Sequence, residues 1–354
     1  MNQNKPSNLS YFWHKKTILS FIAIIFVVVI HNSATNQYTS LPPDTITSFT
    51  THLHNFLAYI LGSVAVPFLF FISGVAFFRN YKPNLYFTKL KSRAKSILIP
   101  YLIWNIFGLL FAILYTYTPL SSYISGRELF TPTPENILAG IFLYKYNFQF
   151  WFLFDLMFYI LLTPIINLLI HYKISGFITC FLALLLPLLT PTFLNINTNF
   201  TVFYILGCFI GKHYLPYFTK PSIKSLRLTS LLAAIILLTI QTLTFYNLIP
   251  TPHIISQLIL VLLLLSLYFA SDLFLAKIKT TPNFTKESFP LYTLHTYFIA
   301  IIVKLIYLIN PNSSLMLLLN ELSSTIITIC IVASISSLIH KKLPTFYTTL
   351  FGNR

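Results

Sequence analysis

The sequence predicts an all-α, polytopic membrane protein: a bundle of about ten transmembrane helices with both termini cytoplasmic. Three observations carry this prediction. Of the 354 residues, 56% are hydrophobic and only 8% are charged, against roughly 25% charged in an average soluble domain. Apolar runs of about 20 residues, enough to cross a hydrocarbon core, recur along the chain. Lys and Arg outnumber Asp and Glu by 23 to 7, and they collect in alternate connecting segments. With a mean hydropathy of +0.76, these numbers exclude a soluble globular enzyme, a disordered chain and a fibrous repeat.

The spans are expected at 17–34, 56–78, 97–117, 150–170, 175–190, 201–217, 227–247, 254–274, 288–308 and 315–339. The fifth is short and contains Pro187. Backbone polar groups need internal partners in lipid, so solidly apolar runs read as helices. A β-barrel would alternate apolar and polar residues, and these runs do not. With the N-terminus cytoplasmic, 20 of the 23 Lys and Arg fall in inner segments. Only Arg127, Lys145 and Lys304 fall outside or near the outer face. The positive charge is thus read as topology, not as a nucleic-acid footprint.

Lys15 and Lys16 precede the first apolar run, but no small-residue cleavage site follows it convincingly, so the run reads as a retained signal anchor. Cys180, Cys208 and Cys330 have no metal-ligand spacing and suggest no disulfide framework. Residues 1–354 are expected to form one integral-membrane domain with no attached soluble domain, its largest outer loops at 35–55 and 118–149.

Ionisable groups inside spans are costly and point to function by default. Three stand out: His31 at the outer end of the first span, Asp155 in the fourth and His295 in the ninth. Each also has a plainer explanation. A membrane His often serves only as a helix–helix hydrogen-bond donor, and Asp155 could pair with a Lys or a helix end. His52 and His54 fall in an outer loop and read as interfacial. His171, His213 and His340 sit beside inner-face lysines. The inner loop 79–96 holds six positive charges and no acid, densest at Lys89, Lys91, Arg93 and Lys95. It reads either as topology plus attraction to anionic lipid or as a phosphate clamp. Pro67 and the Ser73-Gly74 pair in the second span allow a kink and close helix approach.

Taken in order, these pieces resemble the acyltransferase-3 family of integral-membrane acyltransferases. An apolar first span ends at His31. Pro67-Phe68 and Phe71-Ile72-Ser73-Gly74 are similar to the family's Pro-Phe-Phe-x-x-Ser-Gly. A basic stretch leads into Ile99-Pro100-Tyr101-Leu102-Ile103-Trp104. Trp151-Phe152-Leu153 with Asp155-Leu156 and Pro164 resembles its Trp-Phe helix. Ser288-Phe289 with Tyr292 and His295 resembles its Tyr-x-x-His, and the tail from Leu343-Pro344 to Gly352-Asn353-Arg354 resembles a short family ending.

The resemblance implies a bacterial inner-membrane enzyme that moves an acyl group, usually acetyl, from cytoplasmic acyl-CoA to a hydroxyl of a cell-surface or lipid-linked glycan. It implies His31 as general base or transient acyl carrier. Lys89, Lys91, Arg93 and Lys95 would hold the phosphates of coenzyme A, and Ser73, Asp155, Tyr292 and His295 would line the substrate site. No metal and no nucleic acid are implied. The chain departs from the family pattern at three places. Ser20 and Thr17 stand where the first helix usually has Arg and Asp, and Phe154 stands where the Trp-Phe helix has Arg. Depth adds a constraint: the first helix separates His31 from the basic loop by roughly 20 Å, which an extended pantetheine arm would have to span. Two other readings compete: a transporter or flippase for a lipid-linked glycan, and an inactive acyltransferase-like scaffold in polysaccharide export.

Overall fold

The computed structural model describes residues 8–119, 128–278 and 280–352. Lys5, Arg127, Lys279, Asn353 and Arg354, which enter the topology and tail readings, lie outside the described residues. The protein is all-α. Its helices are α1 (Asn8–Ile30), α2 (Ala34–Gln37), α3 (Thr45–Asn55), α4 (Ala65–Phe78), α5 (Tyr86–Arg93), α6 (Ile99–Thr116) and α7 (Pro134–Phe142). They continue with α8 (Trp151–Leu161), α9 (Thr163–Leu169), α10 (Lys173–Leu189), α11 (Thr201–His213), α12 (Leu215–Phe218) and α13 (Lys224–Phe245). The last are α14 (His253–Ala270), α15 (Asp272–Leu275), α16 (Ser288–Ile309), α17 (Ser314–Lys342) and α18 (Pro344–Phe351). The strands β1 (Thr192–Phe193) and β2 (Ile196–Asn197) form one antiparallel hairpin.

Every expected span contains helix, but the helices differ in kind. Among the described residues, seven are long and apolar enough to cross a membrane, or eight when the bent pair α8–α9 is counted as one span. The bend of 62° falls at Leu162. Pro164 lies just beyond it, and the residue before a proline is disfavoured in helical geometry. The other two expected spans are shorter. Helix α10 has 17 residues, and α11 has 13, a length more typical of a buried core helix than of a spanning one.

Two segments expected to be outer loops contain helix: most of 35–55, and nine residues of 118–149. In 35–55, the Asp44 carboxylate accepts from Thr47 N–H at 2.7 Å and starts α3. The Ser314 hydroxyl also bonds this carboxylate and, with the Thr47 amide, holds it below the usual carboxylate range. Helix α3 then runs through a π-helical turn (Phe56–Leu61) and a 3-10 turn (Gly62–Val64) into α4. In 118–149, Thr133 caps α7, with Pro134 and Glu135 in its first turn, a typical helix-start signature. The basic loop 79–96 is helical too. Helix α5 continues through a second π-helical turn, Ala94–Leu98, into α6.

The chain folds into two compact units that interleave in sequence. The first comprises residues up to Tyr81, Leu168–Pro191 and Thr198–Ser334; the second comprises Lys82–Asn167, Thr192–Asn197 and Ile335 onward. The first unit is built on α4 and α11, which touch backbone to backbone. A Cβ at Gly74 would collide with the carbonyl oxygen of Tyr204, one at Gly207 with that of Phe71, and one at Gly211 with that of Val75. Close approach through small residues is what association in lipid favours, because apolar side chains gain little by leaving lipid for one another. Of the best window in the α3–α4 span, 72% is buried, against 11% in α13. Helix α13 therefore presents Leu231, Leu232, Ile235 and Ile236 outward.

Replacing Gly207 by Ala forces a methyl into the Phe71 carbonyl. The substitution is expected to cost about 1–3 kcal/mol and to lower the thermal unfolding midpoint of the detergent-solubilised protein. Leu232→Ala, on the exposed face of α13, is the control and should leave that midpoint nearly unchanged.

Candidate active site

Helix α1 carries His31 immediately after its last turn, with the His31 N–H bonded to the Val27 and Val28 carbonyls at 3.3 and 3.2 Å. Helix α16 packs against α1 and carries His295, which is fully buried. The two imidazole rings lie 5.2 Å apart, centroid to centroid, tilted by 33°. The Tyr292 ring is 6.3 Å from that of His295. His295 Nδ1 approaches the carbonyl oxygens of Leu291 and Tyr292 at 3.1 and 2.8 Å. Carbonyls only accept, so Nδ1 holds the hydrogen and Nε2 keeps its lone pair. That Nε2 is buried and has no hydrogen-bond partner among the described residues. Fixing one ring nitrogen on main-chain carbonyls sets the tautomer that leaves the other as a proton acceptor.

Of the residues singled out in the sequence, the structure brings together His31, His295 and Tyr292. Ser73 lies elsewhere in the same unit. Gly62 packs against the Ile30 side chain at the His31 end of α1, and Ser73 is roughly 16 Å further along the α4 span. Asp155, on α8 in the second unit, is fully buried. The Asn197 N–H donates to its Oδ2 at 3.1 Å. Asn197 ends the hairpin whose turn residues Leu194 and Asn195 both have positive φ, the geometry of a tight two-residue turn. Asp155 thus fastens that hairpin through a backbone amide and not through a Lys. Lys89, Lys91 and Arg93 lie on α5, and Lys95 lies in the π-helical turn after it. Four-residue spacing pairs Lys89 with Arg93 and Lys91 with Lys95. The two pairs sit roughly 200° apart around the helix.

Three polar ties went unremarked in the sequence. Lys15 is buried, and its ammonium contacts the Asp272 carboxylate at 2.5 Å. Tyr11 donates to the same carboxylate, and the Ser222 amide and hydroxyl donate to it at 2.8 and 2.7 Å. The Lys15 ammonium also lies 3.6 Å from the Tyr268 ring centroid. His54, expected in an outer loop as an interfacial residue, is buried on α3 and meets Glu321 at 2.9 Å. The Asn32 amide nitrogen bonds the Glu321 carbonyl and the hydroxyls of Ser324 and Thr325 at 3.0, 3.0 and 3.1 Å. The signal for two of these was present: Asp272 and Glu321 fall inside expected spans, where an acid needs a partner. Lys15 does not replace the cation missing at Ser20, because its charge is matched by Asp272. Among the described residues, no cluster of three or more His, Cys, Asp or Glu is placed to hold a metal.

The acyltransferase domain model matches residues 18–339. The chain belongs to the acyltransferase-3 family. It is therefore a multi-pass membrane protein of an acyltransferase family, and an acyl donor and an acyl acceptor follow from that membership. It matches no curated protein and no solved structure. In this acyltransferase-3 protein the His31 and His295 positions of the family resemblance are the ones that meet in space.

The Lys15–Asp272 pair gives a stability test. Lys15→Met alone leaves a buried carboxylate without its cation and is expected to cost about 3–5 kcal/mol. Lys15→Met combined with Asp272→Leu removes both charges and should recover most of that loss. Thermal unfolding of the two variants in one detergent checks the coupling.

Proposed function

We propose that the protein is a membrane O-acyltransferase, which moves an acyl group, most simply acetyl, from acyl-CoA to a hydroxyl of a cell-surface or lipid-linked glycan. The observation that carries this reading is the His31–His295 ring pair, in which one imidazole has its tautomer fixed by main-chain carbonyls. The family supplies the reaction class, and the pair supplies the proton handling that the class requires.

An alcohol is a poor nucleophile at neutral pH. In the proposed step the acceptor hydroxyl oxygen attacks the thioester carbonyl while His31 takes the hydroxyl proton. A C–O bond forms, the C–S bond breaks, and the proton passes to the departing coenzyme A sulfur. His295 places a second proton acceptor beside His31 and keeps that ring oriented. Tyr292 lines the same place. Lys89, Lys91, Arg93 and Lys95 are assigned to the coenzyme A phosphates. Arg and Lys serve there because charge-assisted bonds to phosphate are stronger than neutral ones. The basic helix and both termini are placed on the cytoplasmic side of a bacterial inner membrane, which puts the donor where acyl-CoA is made. Ser73 and Asp155 are left in supporting roles, since α4 packing and the hairpin amide account for their positions.

The test is transfer of label from radioactive acetyl-CoA to glycan in membranes that contain the protein. His31→Ala is expected to lower the transfer rate by about 10²–10⁴-fold, the usual worth of a general base, with the protein still inserted. Full glycan acylation in that variant would remove His31 from the mechanism. His295→Gln, which keeps an amide near the two carbonyls and removes the basic nitrogen, should lower kcat more than it raises the donor KM.

A further inference from the structure

In the second unit, the basic helix borders a cavity of about 450 Å³. Its lining is Ser92, Lys95, Ser96, Ile99, Thr348 and Thr349. All but Ile99 carry an N–H or O–H donor on the side chain, and no carboxylate is among them. One wall comes from the end of α5 and the π-helical turn after it. The other comes from α18, which lies past residue 339, where the family match ends.

Helix α18 is held firmly enough to form a wall. The Trp104 indole N–H donates to the Leu350 carbonyl at 2.9 Å, and the Trp104 and Phe351 rings lie 5.8 Å apart. The Tyr347 ring stacks on His340 at 4.3 Å. Gly352, at φ +72°, ends the helix against the backbone of Ser96, where a Cβ would collide with the Ser96 carbonyl. The surroundings are cationic by sequence. Lys82, Lys89, Lys91, Arg93 and Lys95 occur with no acid between 79 and 96, and Lys341 and Lys342 lead into α18.

We infer that this cavity is an anion site for a phosphate ester, with Lys95 and the hydroxyls of Ser92, Thr348 and Thr349 as its donors. The inference deepens, and for its most direct ligand rests on, the acyl-CoA reading above. Coenzyme A carries such phosphates, and the headgroup of an anionic lipid offers the same chemistry. Lys95 supplies a full charge on a flexible stem. The Thr348 and Thr349 hydroxyls donate to the Thr345 carbonyl at 2.8 and 3.0 Å. A hydroxyl hydrogen rotates freely about its C–O bond, so both can turn to an anion that enters. Of the four basic residues read as one clamp, Lys95 is the one that lines the cavity.

The experiment uses the full chain in nanodiscs of zwitterionic lipid, with adenosine 3′,5′-bisphosphate, the phosphate-bearing end of coenzyme A, as the probe. Binding is measured by calorimetry for the wild type, for Lys95→Ala and for Thr348→Val with Thr349→Val. Affinity is expected to fall roughly tenfold in the Lys95 variant, the worth of one charge-assisted bond. The paired Thr variant should show a smaller but clear loss. It is nearly isosteric on a largely exposed helix face, so it carries the test if the Lys95 variant fails to fold. A parallel series adds phosphatidylglycerol to the nanodiscs. Lipid binding that the same variants weaken, without bisphosphate binding, supports the anion site with lipid as its source. No binding of either probe to the wild type, or equal binding by all three proteins, overturns the inference. Bisphosphate binding that the variants weaken, in a protein that transfers no acyl group, leaves the anion site standing and removes the transferase reading alone.

Discussion

The first unit depends on how α1 is pinned. An apolar helix in a bundle of apolar helices has little to fix its depth or rotation, because leucine against leucine and leucine against lipid are nearly equal in energy. Helix α1 escapes this through polar ties at both ends. At one end Lys15 is held by Asp272, which also accepts from Tyr11 and from Ser222. At the other, Asn32 bonds α17 through Glu321, Ser324 and Thr325. A slide of one turn, about 5.4 Å, would break every one of these bonds and leave the groups buried and unpaired. His31 is adjacent to Asn32, so its distance to His295 is set by the same ties.

A second constraint fixes the scaffold around α1. The glycine contacts of α4 and α11 bring two backbones together and leave no room for sliding. The helix that precedes α4 is correspondingly irregular, with a π-helical turn and then a 3-10 turn. Such turns rotate the next helical segment about its axis without breaking the helix. Here they connect α3, which carries His54 to Glu321, to α4, which must present Gly74 to α11.

Much of the architecture was legible because it is written in one dimension. Runs of apolar residues and a scarcity of charge need no knowledge of partners, whereas the bend of α8–α9 was not read from Pro164. Pairings are different. Lys15 and Asp272 are 257 positions apart, and neither carries a local mark of the other. A rule that counts lysines by side of the membrane absorbed Lys15 as topology. The segments at 35–55 and 118–149 read as loops because their helices are short and set among polar residues and prolines, although Asp44 and Thr133 are ordinary cap residues. Of the site, His31, Tyr292 and His295 were visible as a group only through their order along a family pattern. Their spatial meeting depends on α1 packing against α16, which no spacing in the sequence encodes.

The buried polar groups differ in how fully the fold satisfies them. Asp272 is surrounded by donors, as a carboxylate must be if it is to stay buried at tolerable cost. Asp155 anchors a hairpin through a backbone amide. The Asp155 Oδ1, however, is buried with no hydrogen-bond partner among the described residues. His295 shares that feature and adds a second. Its Nδ1 is committed to main-chain carbonyls, while its Nε2 is buried without a partner among the described residues, beside a second imidazole. Folding alone gives no reason to keep such a nitrogen, since a residue without a polar tip would fill the space with no desolvation penalty. Under the proposed acyl transfer that nitrogen has a chemical use: beside His31, it would serve as a second proton acceptor.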